Sequence, residues 1–132
     1  MKKKDIFIII LLVLLDLSTK YYFTYNKFIV IKDILEFNYL ENFGASFNIL
    51  TGSRLILIII GIIGLIYVNK TFKNNILLNA GIIGNLFDRI IYGYVRDYIS
   101  IFSFPVFNLA DTYIVLGAIL IVIKLIEGKN DK

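Results

Sequence analysis

The chain of 132 residues contains no cysteine and no histidine, and these two absences remove most of the common ways of breaking a bond. Without cysteine there is no disulfide, no thiol nucleophile, no thiolate metal site and no point of lipid attachment on the chain itself. Without histidine there is neither a Ser-His-Asp triad nor a His-ligated zinc. A hydrolase made from this sequence must move its protons with carboxylates or a lysine.

What is present is apolar. Hydrophobic residues make up 58% of the chain and the mean hydropathy is +0.79, more than a soluble domain of this size buries. Residues 1–132 have room for one domain. The net charge is +4, but the basic residues cluster between apolar runs instead of forming one stripe. That pattern fits the positive-inside bias of a membrane protein and speaks against a nucleic-acid partner. Four runs, 6–23, 54–68, 76–92 and 105–126, read as transmembrane helices. Lys2, Lys3 and Lys4 followed by an apolar stretch imitate a signal peptide. No small-residue cleavage site follows, so the first run reads as an uncleaved span.

With the N-terminus inside, the cytoplasmic pieces hold Lys2, Lys3, Lys4, Lys70, Lys73, Lys124, Lys129 and Lys132, and the outer pieces hold Lys27, Lys32, Arg54 and Arg96. Eight against four places both termini in the cytoplasm. The outer segment 24–52 is rich in β-branched and aromatic residues over 28–40, which predicts a small sheet on the membrane surface. The expected fold is therefore an all-α integral membrane protein of four transmembrane helices, with a small extracytoplasmic β-cradle between helices 1 and 2.

Polar groups inside a bilayer are expensive and functional by default. The first run carries Asp16 and Lys20 four residues apart, on one helical face where they can pair. The third carries Asn85, Asp88 and Arg89, with Asp88 and Arg89 read as a local pair. The fourth carries Asn108 and Asp111, just after a Pro105 suited to a helix start. Asp97 lies in the loop between the third and fourth. At 1.5 Å per residue, Asp16 and Lys20 lie ~15 and ~21 Å along the first run and Asn85 and Arg89 ~14 and ~20 Å along the third. Asp111 lies ~9 Å below the outer end of the fourth. All of them gather in the outer half of a membrane ~30 Å thick.

Two neighbouring carboxylates cannot both ionise easily, so the pair shares a proton. The ionised member can take a proton from water while the protonated member donates to a peptide carbonyl. Other classes use some of the same residues. A small transporter could couple ions through buried Asp and Lys, although it would more naturally spread them through the membrane depth. A serine-lysine protease could pair Lys20 with Ser18, Thr19 or Ser46, but residues 18 and 20 face apart on a helix.

Five blocks in order, Asp16-Leu-Ser-Thr-Lys20, Asn42-Phe-Gly-Ala-Ser-Phe47, Gly81-Ile-Ile-Gly-Asn-Leu-Phe-Asp-Arg89, Val95-Arg-Asp-Tyr98 and Phe107-Asn-Leu-Ala-Asp111, resemble those of the bacterial lipoprotein signal peptidases, also called signal peptidase II. Ala80 and Leu17 stand where that family often has glycine and glutamine. The resemblance implies a catalytic dyad at Asp97 and Asp111, with Asp16, Lys20, Asn42, Gly81, Asn85, Arg89, Asn108 and Ala110 lining or supporting the site. It implies no metal and no cofactor. The implied substrate is a prolipoprotein whose cysteine already carries diacylglycerol, cut on the N-terminal side of that cysteine. Globomycin-type cyclic peptides are the expected inhibitors. A monomer in the bacterial cytoplasmic membrane, its site near the outer face, is the expected setting.

Overall fold

The computed structural model describes residues 1–44, 53–72 and 75–130. Ala45, Ser46 and Phe47 of the second block, together with Lys73 and Lys132 of the charge count, lie outside the described residues, as does the side chain of Lys129. Four helices, α1 (Lys3–Tyr25), α2 (Arg54–Thr71), α3 (Ile76–Ile91) and α4 (Leu109–Asn130), are joined by three strands, β1 (Phe28–Ile31), β2 (Leu35–Asn42) and β3 (Val95–Ile101). By length and composition α1, α2 and α4 are apolar enough to cross a membrane. Their outward faces expose residues such as Phe7, Leu14, Ile56, Ile63, Val115 and Ile126, as expected of helices solvated by lipid rather than water.

The third helix differs in kind. At 16 residues it is ~24 Å long, and it buries Leu78, Asn79, Ala80, Gly81, Gly84, Asn85 and Asp88. It packs against α1, α2 and α4, so its polar side chains meet protein on nearly every side. The small face formed by Ala80, Gly81 and Gly84 lets α4 come close. A Cβ added at Gly81 would fall 2.5 Å from the Ala110 carbonyl oxygen and 2.6 Å from Ile114 Cγ1. Gly81→Ala should therefore push α3 and α4 apart and destabilise the protein by about 1–3 kcal/mol. Activity should fall with it, since Asn85 and Asp111 sit on the two displaced helices. A melting temperature and turnover both at the parent value would contradict this packing.

The sheet has the order β1-β2-β3, antiparallel throughout. Its first two strands fall in the segment expected to form them. The third comes from the α3–α4 connection, so the cradle is built from two connections and not only from the one between helices 1 and 2. An aromatic cluster holds it to α1: Phe23 packs on both Phe37 and Tyr98, with ring centroids 4.7 and 4.8 Å away. The Tyr98 hydroxyl donates to Thr19 Oγ1 at 2.7 Å.

The start of α4 also departs from expectation. Pro105 lies in irregular chain and the helix begins at Leu109. The operative start signal is Asn108. Its Oδ1 accepts from the Asp111 N–H at 2.9 Å, while Asp111 Oδ2 accepts from the Asn108 N–H at 3.2 Å. This reciprocal capping box satisfies orphan donors at both ends of the first turn. Asp111 therefore sits only ~3 Å below the helix start, not ~9 Å.

Candidate active site

Asp97 projects from β3 with 1% of its surface exposed. One carboxylate oxygen accepts from Asn42 Nδ2 at 2.9 Å and the other from Asn108 Nδ2 at 2.7 Å. Asp111, in the first turn of α4, is half-buried and accepts from Asn85 Nδ2 at 2.8 Å as well as from the Asn108 backbone. Asn108 thus binds both carboxylates, one through its side chain and one through its main chain. Burial pushes the Asp97 carboxyl up to about 7, and the neighbouring Asp111 charge pushes the same way. The hydrogen bonds from Asn42 and Asn108 and the charge of Lys20 oppose that rise.

Beneath the two carboxylates runs a buried charge network. Lys20 Nζ lies 2.7 Å from Asp16 Oδ2 and 3.6 Å from Asp88 Oδ2, all three residues fully buried. Lys20 also donates to Asn85 Oδ1 at 3.1 Å, and Asn108 Nδ2 donates to the same oxygen at 3.1 Å. With both acceptor positions filled, Asn85 can point only its Nδ2 toward Asp111. Asp16 reaches across to α4 and accepts the Ala110 N–H at 2.8 Å, which places a carboxylate at a helix N-terminus where the dipole favours it. The sequence-predicted residues Asp16, Lys20, Asn85, Asn108, Ala110 and Asp111 thus belong to one connected cluster, with Gly81 at the helix contact that brings it together.

Two pairings differ from expectation. Asp88 does not pair with Arg89, because adjacent residues on a helix diverge. Its cations are Arg96, at 2.8 Å, and Lys20. Arg89 instead donates to the Gly44 carbonyl at 3.2 Å, while Asn42 Oδ1 accepts the Gly44 N–H at 3.0 Å. Sequence reading counted Arg96 only as an outer cation, yet 6% of its surface is exposed. Arg54, counted likewise, donates to the Arg89 and Ile90 carbonyls and so caps the α3 C-terminus. The serine-lysine alternative finds no support in the described residues: Ser18 donates to Leu14 O and Thr19 to Asp16 O, while Lys20 is committed to its carboxylates.

One side of the site is open. A cavity of about 270 Å³ is lined by Phe104, Phe107, Asp111, Thr112, Val115 and Leu116. Its lining is almost wholly apolar, with Asp111 the only charged residue among the six.

Comparison with known proteins gives this geometry its context. The family profile described as signal peptidase (SPase) II matches residues 8–127. A lipoprotein signal peptidase of Clostridium tetani is 38% identical, with 97% of each chain covered. One from Staphylococcus aureus is 34% identical over 97% of this chain and 91% of its own. A solved structure titled "Bacterial membrane enzyme structure by the in meso method at 2.3 A resolution" superposes with a TM-score of 0.88 at 34% identity, covering 98% of this chain and 91% of that one. Similarity of this extent, in sequence and in fold, makes the chain a member of the signal peptidase II family, a family of membrane-bound peptidases.

Proposed function

We propose that the protein is an aspartic endopeptidase that removes the signal peptide from diacylglyceryl-modified prolipoproteins, cutting N-terminal to the lipidated cysteine. The observation that carries the mechanism is the pair of carboxylates bound to one asparagine, one of them buried so that its carboxyl is pushed up to about 7. Asp111, beside the open cavity, takes a proton from water as the water oxygen attacks the scissile carbonyl carbon. Asp97 gives its proton to the carbonyl oxygen, which leaves a tetrahedral diol. When the diol collapses, Asp97 recovers a proton from a diol hydroxyl and Asp111 passes its own to the departing amine. Asn42 and Arg89 align the substrate backbone or ester groups. Asp16, Lys20, Gly81, Asn85, Asn108 and Ala110 hold the dyad's supports in place.

The single domain has four transmembrane spans, with α3 packed against each of the other three. It lies in the bacterial cytoplasmic membrane as a monomer, with both termini cytoplasmic and the site near the outer face. Membrane lipid delivers the substrate laterally, and globomycin-type peptides occupy the same site. A reporter fused after Lys132 should read cytoplasm and one inserted near Lys32 should read outside; the same side for both would break this topology.

The decisive assay compares lipidated with unlipidated precursor in the presence of purified protein. Only the lipidated form should be cut, at the bond preceding the modified cysteine. Equal cleavage of both forms, or of neither, would remove the substrate assignment. The dyad also predicts a pH profile. Catalysis needs one proton on the pair, so kcat/KM should fall about tenfold per pH unit once the pH passes about 7. A profile that stays flat to pH 9 would mean that Asp97 is not the acid.

A further inference from the structure

Asp88 is fully buried at the end of α3, yet the reaction above gives it no proton to move. Its oxygens are taken up by β3. Oδ2 accepts the Arg96 backbone N–H at 3.0 Å and the Arg96 Nε–H at 3.2 Å, and Oδ1 accepts from Nη2 at 2.8 Å. The Arg96 guanidinium in turn lies over the Tyr92 ring, 4.4 Å from its centroid. Arg96 is the residue next to Asp97.

The clamp acts on a short regular stretch of the ladder, Val95 to Asp97 opposite Asn42 to Leu40, that is bounded by irregular backbone on both sides. Gly93, at φ +86°, turns the chain out of α3 in a conformation that suits glycine and leaves a soft joint. On the far side of Asp97 the ladder between β2 and β3 is irregular from Phe37 to Leu40. Asp97 thus sits between a joint and a bulge. A bidentate, charge-assisted fork shielded from water fixes orientation as well as distance.

We propose that Asp88 and Arg96 form a positioning device for the dyad, in which Asp88 acts through Arg96 to hold Asp97 at working distance from Asp111. The inference rests on the two-carboxylate reading above. Neither residue touches substrate, so their substitution should act on kcat and not on KM. Lysine at position 96 would keep the charge but lose the fork, while methionine would lose both.

The test is steady-state cleavage of lipidated precursor by Arg96→Lys and Arg96→Met, alongside Asp97→Asn and with melting curves for each. Arg96→Lys should lower kcat about tenfold and Arg96→Met about a hundredfold, with KM within about twofold of the parent. The fall in rate near pH 7 should also shift to lower pH, because Asp97 has drifted from the Asp111 charge. The other charged groups acting on Asp97, Lys20 from α1 and Arg89 from α3, are unchanged in these variants. Parent kcat in a folded Arg96→Lys would overturn the proposal. So would a loss that only follows the fraction folded, with the pH limb unmoved. If Arg96→Met does not fold, Arg96→Lys alone decides. Activity in Asp97→Asn would strike the dyad reading itself, whereas an inactive Asp97→Asn beside fully active Arg96 variants would strike this inference alone.

Discussion

Asp97→Asn and Asp111→Asn are each expected to lower turnover by roughly 10²–10⁴-fold or more, while the protein still folds in the membrane. Either change keeps the shape of the side chain and removes an obligatory proton-transfer group. At position 111, asparagine can still accept the Asn108 N–H and so preserve the cap on α4. At position 97, the stability of the variant carries a second signature. The folded protein holds the Asp97 proton to about pH 7 whereas an ordinary carboxyl releases it at 3.8. Parent stability should therefore be greatest below the lower value and be lost as the pH rises through the higher one. Asp97→Asn cannot ionise, so its melting temperature relative to the parent should climb between pH 4 and 7 and level off above. Substantial turnover by either purified variant would end the two-carboxylate mechanism. A melting difference independent of pH would mean that Asp97 titrates normally.

Lys20→Met should be the most damaging single change to folding. It leaves Asp16 with only the Ala110 N–H as a described partner and removes one of the two cations at Asp88. Breaking a buried ion pair from one side costs about 3–5 kcal/mol, enough to deplete a marginally stable protein from the membrane. Adding Asp16→Asn should recover much of that stability, because no unpaired charge then remains at position 16. Activity should not return, since Asn85 Oδ1 would still lack its donor from Lys20 and be held toward Asp111 by Asn108 alone. The double-mutant cycle should accordingly show strong coupling in melting temperature and little in kcat. Full activity in the double variant would reduce the Asp16–Lys20 pair to a packing device.

Much of this site was legible in the sequence because its chemistry is carried on helices. Spacing of four residues put Asp16 against Lys20, and common depth drew α1, α3 and α4 together before any contact was known. What the sequence hid lies at the joints. The β3 strand contains Arg96 and Asp97 and follows a helix end, so a reading tuned to apolar alternation passed over it. Its pairing with β2 is decided by tertiary contact. The true start of α4 was written as Asn108-x-x-Asp111, a capping pattern masked by the more conspicuous Pro105. Asp88 was assigned to the nearest cation along the chain, although the helix turns adjacent side chains apart and its real partner follows eight residues later.

The enclosure of α3 bears on how the molecule is made. Asn79, Asn85, Asp88 and Arg89 lie within one helix, and a single charged group at mid-bilayer already opposes translocon partitioning by ~2.5–3.5 kcal/mol. A nascent segment of that composition would not leave the protein-conducting channel for lipid unaided. On the four-span reading it must wait for, or enter beside, a chaperoning neighbour. Among the described residues, the neighbour already in place that offers Asp88 a cation is α1, through Lys20. The active-site charges would then act earlier in the protein's life as an assembly code, read once at the ribosome and again at every turnover.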